Sequence, residues 1–317
     1  MPRKARITVP GAVHHVMSRG IEGRPLFRGD DDRRMFLSFL EHNIVKSGYR
    51  LYAWALMENH YHLVVRLNEF PLGVFMKDVN GRYARYFRRS MSMRGYLFQD
   101  RYKSIVTQDQ RYVEELIRYV HLNPLRAGVC ANLAALDRYP WCGHAAVMGH
   151  LNNSFQNITD ILRRFGQSRD RAAAAYRAFV AEGIGASDEL IDTVRGANDQ
   201  TESIRHAGCW VIGNKDFVDH ALKQDRDRRI RLARYAREQV GVADIARKVA
   251  DQFKVPFESM QRRGKGDARS AARKAVAYIC NRRYGIPVVE IARYFGISSP
   301  SVSEMLRGGE TVAAGIT

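Results

Sequence analysis

Two histidines, His60 and His62, are the residues of this sequence that are best placed to do chemistry. Only Tyr61 separates them, and on an extended strand alternate side chains share one face. Both imidazoles would then point the same way, and two neighbouring imidazoles can hold one metal ion. Histidines also occur in strands as half-buried residues without a ligand, so the spacing alone is weak evidence. A metal site needs a third ligand from elsewhere in the chain.

A tyrosine and an asparagine form a second group of chemically capable side chains. Apolar residues at helical spacing predict a helix over residues 110–120, which Pro124 is expected to end. Tyr119 and Asn123 are four residues apart and therefore lie on one face of its last turn. Alone the pair is unremarkable, because a tyrosine at a helix end is usually a packing residue.

Short β-rich segments must position the two histidines. Residues 49–54 and 60–67 predict two strands around a short turn, and residues 12–18 predict a third strand. The third strand contains His14 and His15, one of which must face inward. We interpret the inward-facing histidine as a structural residue, with an auxiliary role in an active site as the alternative.

A predicted helix at residues 72–89 alternates arginines with aromatic residues. Arg82, Arg85 and Arg89 fall along one stripe at helical spacing, beside Tyr83 and Phe87. Such a helix is either a solvated basic face over an aromatic core or a surface that binds phosphates. The charge of the whole chain favours phosphate binding.

Composition restricts the class of protein. The 317 residues exceed the usual size of one domain, and 51 Lys and Arg against 33 Asp and Glu give a net charge of +18. Such a charge attracts polyanions, chiefly nucleic acid or an anionic membrane. No apolar run of about 18 residues and no signal-peptide core is present, which favours nucleic acid. The four cysteines are far apart, so free thiols in a reducing cytosol are expected, and no nucleotide-binding glycine motif occurs.

Four sequence blocks resemble a known family. They are Pro10–Gly20, Leu56–Val65, Gly95–Ser104 and Tyr119–Gly128. In order and spacing they resemble the IS200-like single-tyrosine transposases of the HUH nuclease superfamily, and more closely the REP-associated tyrosine transposases of bacteria. The four blocks together are specific, whereas any one of them would not be.

The resemblance assigns roles to the two groups of side chains. It implies that His60 and His62 bind a divalent metal, Mg²⁺ or Mn²⁺, that Tyr119 is the nucleophile and that Asn123 is the third ligand. The implied activity is cleavage and rejoining of single-stranded, hairpin-bearing DNA through a 5′-phosphotyrosine intermediate. The DNA contacts that we predict in this part of the chain are Arg82, Arg85, Arg89, Arg101 and Lys103.

The end of the chain predicts a second DNA-binding module. Residues 288–296 and 297–306 have the apolar spacing and turn glycine of a helix-turn-helix, for which an ordinary helical hairpin is the alternative. This region resembles the duplex-binding domain of the replication initiator DnaA, although it lacks that domain's Asp-His-Thr-Thr run. Predicted DNA contacts are Arg262, Arg263, Arg269, Ser299, Ser301 and Ser303.

The expected architecture is α+β. An antiparallel sheet with flanking helices, ferredoxin- or RRM-like, is expected over residues 1–147, an all-α connector over 148–222 and an all-α helix-turn-helix domain over 223–317. The expected partners are a REP-like hairpin and duplex DNA, in the cytoplasm and on the nucleoid, with no membrane; a homodimer is compatible with the sequence. The alternatives are a non-catalytic DNA-binding regulator and a relaxase or rolling-circle replication initiator.

Overall fold

The computed structural model describes residues 6–108, 110–185, 202–206, 209–238, 240–261 and 268–313. These residues form two compact units. The first unit comprises Met1–Val45, Tyr49–Leu67 and Leu72–Ala221, and the second comprises Lys46–Gly48, Asn68–Pro71 and Leu222–Thr317.

A single mixed sheet organises the described part of the first unit. Its strands are β1 (Val13–Arg19), β2 (Arg50–Leu56), β3 (His60–Arg66), β4 (Lys103–Thr107), β5 (Glu202–His206) and β6 (Cys209–Gly213). Their order across the sheet is β2-β3-β1-β4-β6-β5. All neighbours pair antiparallel except β4 and β6, which are parallel. The α+β class expected from the sequence is confirmed.

Helices lie between these strands and after them along the chain. They are α1 (Asp30–Ser47), α2 (Leu72–Ser90), α3 (Gln110–Arg126), α4 (Leu133–Asp137), α5 (Gly143–Val147), α6 (Ile158–Leu162), α7 (Arg169–Glu182) and α8 (Lys215–Glu238). The last four are α9 (Val242–Gln252), α10 (Ala268–Tyr278), α11 (Val288–Phe295) and α12 (Ser299–Ala313).

The two faces of the sheet carry different helices. In the register of β1 with β3, His15 lies opposite Val64 and Met17 lies opposite His62, so these side chains share one face. Helix α3 covers this face, where Val64 packs with Leu116 and Val120 of that helix in one buried cluster. The site described below therefore lies between β1, β3 and α3.

Aromatic residues fill the opposite face. Phe36 of α1 lies 4.6 Å from Tyr61 of β3 and 5.3 Å from Tyr83 of α2, measured between ring centroids. The buried Tyr83 hydroxyl donates to the carbonyl of Leu26. The aromatic stripe of α2 therefore packs in the core, which leaves only the arginine stripe of that helix for binding.

The expectation of an all-α connector is wrong at residues 202–206 and 209–213. Strands β5 and β6 occupy these two stretches, and β6 pairs with β4 so that Val106 lies opposite Val211. The run Cys209-Trp-Val-Ile-Gly213 is apolar and short, and periodicity alone does not distinguish a buried strand of this length from a buried helix. Pairing with a strand about a hundred residues earlier decides its conformation.

Helix α3 also continues past the expected stop and ends at Arg126, with Pro124 inside its last turn. A proline removes one backbone donor and leaves the carbonyl four residues earlier without its helical partner. That carbonyl belongs to Val120. The side-chain Nδ2 of Asn123 donates to it at 3.4 Å, and its shorter bond, at 2.8 Å, goes to the carbonyl of Tyr119.

The second unit has a core of its own. Val249, Val276, Ile291 and Leu306, from four different helices, belong to one buried cluster. Between α11 and α12 the chain turns at Gly296, whose φ of +60° is left-handed and favours glycine.

Replacing Phe36 by alanine should lower the free energy of unfolding of the first unit by about 3–5 kcal/mol, because the side chain is fully buried among three aromatic rings. Trp54, Trp141 and Trp210, all the tryptophans of the chain, lie in the first unit, so urea unfolding followed by tryptophan fluorescence reports on it. The control is Val45→Ala on the same helix, which is 70% exposed and should change little. Equal effects of the two variants would contradict this packing.

Candidate active site

The two histidines and the tyrosine–asparagine pair meet in one cleft of ≈ 910 Å³. Strand β3 presents His60 and His62, and the last turns of α3 present Tyr119 and Asn123. The lining residues are Met17, Ser18, Arg19, Asn59, His60, His62, Gln99, Asp100, Arg101, Lys103, Tyr119 and Asn123. Strand pairing and helix packing therefore bring together residues that are about sixty positions apart in the sequence.

Both histidines use one ring nitrogen within the protein. Nδ1 of His60 lies 2.7 Å from Oδ1 of Asn59, an acceptor, so that Nδ1 carries the proton. Nδ1 of His62 lies 2.9 Å from Nε2 of His15. Nε2 of His62 is buried and has no hydrogen-bond partner among the described residues. A buried polar atom without a partner calls for a ligand, and an imidazole nitrogen is a common metal donor.

The surroundings keep these imidazoles neutral. Burial, and then the nearby His15 and His60, lower the pKa of His62 well below its ordinary 6.5. Burial and the charge of Arg19 lower the pKa of His60, and burial lowers the pKa of His15 to about 3. At neutral pH each ring therefore retains a lone pair.

Tyr119 is held against the histidines. Its ring centroid lies 5.8 Å from that of His15 and 5.9 Å from that of His62, with the planes nearly perpendicular. The guanidinium carbon of Arg126 lies 5.6 Å from the centre of the tyrosine ring. The ring is therefore positioned by contacts on more than one side, and it remains half-buried at the cleft.

The donor set fits a divalent ion with open coordination positions. Within the described residues no group of three His, Cys, Asp or Glu side chains could hold a metal. The cleft offers instead two imidazoles and the amide of Asn123. Because Nδ2 of Asn123 is engaged by backbone carbonyls, Oδ1 is the atom left to act as a ligand. An ion held by only three protein ligands has coordination positions left for a substrate oxygen.

The arginines and lysine predicted to bind DNA in this unit separate into two groups. Arg101 and Lys103 line the cleft and are exposed. Helix α2, which carries Arg82, Arg85 and Arg89, packs on the opposite face of the sheet, where its Asn80 accepts a hydrogen bond from Tyr61 at 2.5 Å. Arg82 pairs with Asp78 at 2.9 Å, whereas Arg85 and Arg89 are exposed.

The predicted DNA contacts of the second unit need one correction. Ser299 and Ser303 are only 7% exposed, and the Ser303 hydroxyl donates to the Ser299 carbonyl at 3.1 Å, so neither faces a ligand. Ser301 is half-buried, as is Arg269, and Arg262 and Arg263 lie outside the described residues. The helix phase places Ser301, Glu304 and Arg307 along a groove between α10 and α12, together with Lys274.

Several cleft residues had no role in the sequence analysis, and His15, which contacts His62 from behind the cleft, had only an alternative one. Asn59 and Gln99 lie inside the matching sequence blocks but carried no assigned role. His15 was one of two candidates for an inward-facing histidine, and both prove to be buried, on opposite faces of the sheet. His15 contacts His62, whereas Nδ1 of His14 lies 3.0 Å from the Ser104 hydroxyl.

A buried polar chain anchors α3 behind the cleft. The Tyr176 hydroxyl of α7 lies 2.5 Å from Nδ1 of His121 and 3.0 Å from Nδ1 of His144, whose Nε2 donates to Asp137 at 2.9 Å. Since a bare carboxylate only accepts, the protons are ordered from His121 towards Asp137. His121 lies two residues from Tyr119, so this chain fixes the helix that carries the tyrosine.

The comparisons with known proteins bear on this geometry. Residues 8–123 match the family model of IS200-like transposases. The family resemblance inferred from the sequence blocks is thereby confirmed over this segment, which contains β1 to β4 and ends at Asn123. We refer to it as the IS200-like segment. The likeness of the second unit to DnaA stays a prediction.

A solved structure is similar to the chain. It is described as a REP-associated tyrosine transposase bound to a REP hairpin, and it shares 10% sequence identity with a TM-score of 0.40. The match covers 50% of this chain and 98% of that one. No curated protein matches the sequence. None of the helices in the described ranges is long and apolar enough to cross a membrane.

The buried His14 in the IS200-like segment should make stability depend on pH. Burial lowers the pKa of His14 from 6.5 to about 3, so below pH 6.5 the unfolded chain binds a proton that the folded chain rejects. Stability should fall by about 1.4 kcal/mol per pH unit for this group as pH decreases through that window. His14→Asn should reduce the slope of unfolding free energy against pH by that amount, measured by urea titration in EDTA.

Ser104→Ala is the matched control for this measurement. It removes the hydroxyl beside Nδ1 of His14 but keeps the titrating ring, so stability should fall while the slope is retained. An unchanged slope in His14→Asn would refute the assignment.

Proposed function

We propose that the IS200-like segment is a metal-dependent, single-tyrosine DNA endonuclease and strand transferase that cleaves and rejoins single-stranded, hairpin-bearing DNA. The observation that carries the proposal is the convergence of His60, His62, Tyr119 and Asn123 on one cleft that also contains Arg101 and Lys103. The match of residues 8–123 to a transposase family supports the same activity class.

The histidines and the asparagine bind the ion. Nε2 of His60, Nε2 of His62 and Oδ1 of Asn123 are the donor atoms left after their internal hydrogen bonds are made. When bound, Mg²⁺ or Mn²⁺ supplies a Lewis acid that polarises the scissile phosphate and neutralises charge in the transition state. The two rings are neutral and need not lose a proton before they bind a cation.

Tyr119 performs the bond exchange. Its phenolic oxygen attacks the phosphorus, the new O–P bond forms and the bond from phosphorus to the 3′-oxygen breaks. The phenol releases its proton to water, and the departing 3′-oxygen takes up a proton. The product is a 5′-phosphotyrosine with a free 3′-hydroxyl. One phosphoester bond replaces another, so the reverse reaction rejoins DNA without a nucleotide cofactor.

Basic residues around the cleft bind the DNA backbone. Arg101 and Lys103 are exposed at the cleft and place positive charge beside the phosphates that flank the scissile bond. Arg82, Arg85 and Arg89 on α2 extend the basic surface away from the cleft. In the second unit, the helical pair α11 and α12 binds duplex DNA or a hairpin stem, and the groove between α10 and α12 adds Lys274 and Arg307 to this surface.

Replacing Tyr119 by phenylalanine should abolish covalent attachment to DNA, because the phenylalanine ring has no nucleophilic oxygen. The assay incubates the full chain and Mn²⁺ with a single strand that contains a hairpin and is labelled at its 3′ end, since the fragment with that end stays linked to the tyrosine, and then detects a protein–DNA adduct on a denaturing gel. EDTA should prevent the adduct as well. Tyr96→Phe is the control, since Tyr96 is 83% exposed outside the cleft lining.

Adduct formation by Tyr119→Phe would remove the assigned nucleophile. Binding of the hairpin without any adduct in the unmodified protein would favour a non-catalytic DNA-binding regulator instead.

Removal of one cleft charge, by Arg101→Ala or Lys103→Ala, should make binding of single-stranded DNA less dependent on salt. Each lost phosphate contact should reduce the slope of log K against log salt by about 0.7. Fluorescence anisotropy with Tyr119→Phe as background and EDTA present isolates binding from cleavage. Arg171→Ala, an exposed arginine of α7, is the control and should leave the slope unchanged. Equal slopes in all variants would exclude the cleft residues from the backbone contact.

A further inference from the structure

We propose that His15 is a positioning residue for the metal site, which orients the ring of His62 and holds the proton of that ring on Nδ1. The inference rests on the proposed function, since it concerns how His62 becomes a ligand. His15 itself does not contact the ion or the substrate phosphate in this scheme; it acts through His62.

Contacts between the two rings carry the proposal. Nε2 of His15 lies 2.9 Å from Nδ1 of His62, and the rings meet edge to edge, with centroids 5.1 Å apart and planes 21° from parallel. Both side chains are buried, at 2% and 5% exposure. The two histidines lie on the neighbouring strands β1 and β3. Met17 lies opposite His62, and His15 is two residues from Met17, so both histidine side chains are on one face of the sheet. The His62 ring is therefore held at one nitrogen, with its plane close to that of the His15 ring.

The hydrogen bond between the rings contains one proton, and its position decides whether His62 can bind metal. If His15 donates from Nε2, the neutral His62 must carry its own proton on Nε2 and offers no lone pair to the cleft. If His62 donates from Nδ1, its Nε2 is a free donor atom and His15 accepts. Only the second arrangement makes a ligand, and His15 is the acceptor that it requires.

The change between the two arrangements conserves protons. His62 exchanges a proton on Nε2 for one on Nδ1, and His15 exchanges a proton on Nε2 for one on Nδ1. Each ring stays neutral throughout. Occupation of the metal site selects the arrangement in which His15 accepts, as metal-bound imidazoles elsewhere donate their second nitrogen to a protein acceptor.

The other candidate ligand has a different partner. His60 donates to Oδ1 of Asn59, which can only accept, so its tautomer is set before any ion binds. His15 can either donate or accept. Whether His62 can bind the metal ion therefore depends on the tautomer of its neighbour His15. His60 does not depend on its neighbour in this way, so His15 is the residue to test.

The test measures Mn²⁺ affinity by electron paramagnetic resonance with the full chain and no DNA. His15→Leu removes the acceptor and should weaken Mn²⁺ binding about 10–100-fold. Two polar variants refine this: His15→Gln places an amide oxygen near the position of Nε2 and should retain most of the affinity, whereas the shorter His15→Asn does not reach and should lose it. His14→Gln, on the opposite face of the sheet, is the matched control and should bind as the unmodified protein does.

A second readout separates positioning from general damage to the fold. In ¹⁵N-labelled protein, the shifts of the His62 ring nitrogens should report the Nδ1–H tautomer when the diamagnetic Mg²⁺ is bound, in the unmodified chain and in His15→Gln. Tryptophan fluorescence unfolding checks that each variant folds. If His15→Leu does not fold, the Gln and Asn variants decide the matter.

Each result bears on one of the two proposals. Equal Mn²⁺ affinity in His15→Leu and the unmodified protein, or in the Gln and Asn variants, would overturn the role of His15 and leave the proposed function intact. No Mn²⁺ binding by the unmodified protein would remove the metal from the proposed function, and the role of His15 with it.

Discussion

The candidate site depends on the pairing of β1 with β3. In this antiparallel register Met17 lies opposite His62, and the two-residue repeat of each strand then places His15, His60 and His62 on the face that α3 covers. A shift of one residue in either strand would turn its histidines to the aromatic face with Tyr61. Large apolar and aromatic side chains on both faces oppose such a shift, so the packing that stabilises the sheet also fixes the orientation of the site.

Helix α3 completes the site through Asn123, whose amide nitrogen bonds the helix backbone and whose amide oxygen is the candidate metal ligand. Pro124 removes the backbone donor of the Val120 carbonyl, and the amide nitrogen of Asn123 donates to that carbonyl and to the carbonyl of Tyr119, which leaves its oxygen for a ligand. The hydrogen-bonded chain through His121 and Tyr176 anchors the same helix from behind. The positions of Tyr119 and Asn123 thus follow from the satisfaction of buried polar groups, which is costly to leave incomplete.

Much of this arrangement could be predicted from the sequence, because it depends on local periodicity. The shared face of His60 and His62 follows from the period of a strand, and the shared face of Tyr119 and Asn123 follows from the period of a helix. The role of His15 could not be predicted, since the choice between His14 and His15 depends on which face α3 covers. Strands β5 and β6 form through pairing with the distant β4, and the burial of Ser299 and Ser303 depends on the packing phase of α12, none of which local pattern specifies.

The basic stripe of α2 and the cleft lie on opposite faces of the sheet, yet they approach the same end of it. Arg28 packs over Phe87 at 4.8 Å and donates to Ser90 at 3.0 Å, which ties the end of α2 to the loop after β1. The same loop accepts a hydrogen bond from Asn59, beside His60, through the carbonyl of Gly23 at 3.3 Å. A nucleic acid strand that contacts both Arg89 and the cleft must therefore pass around this end of the sheet, over the loop that joins β1 to α1. Under the proposed function, charge on α2 would act on the strand that leads into the cleft, whereas charge at Arg101 and Lys103 would act on the phosphates beside Tyr119 itself.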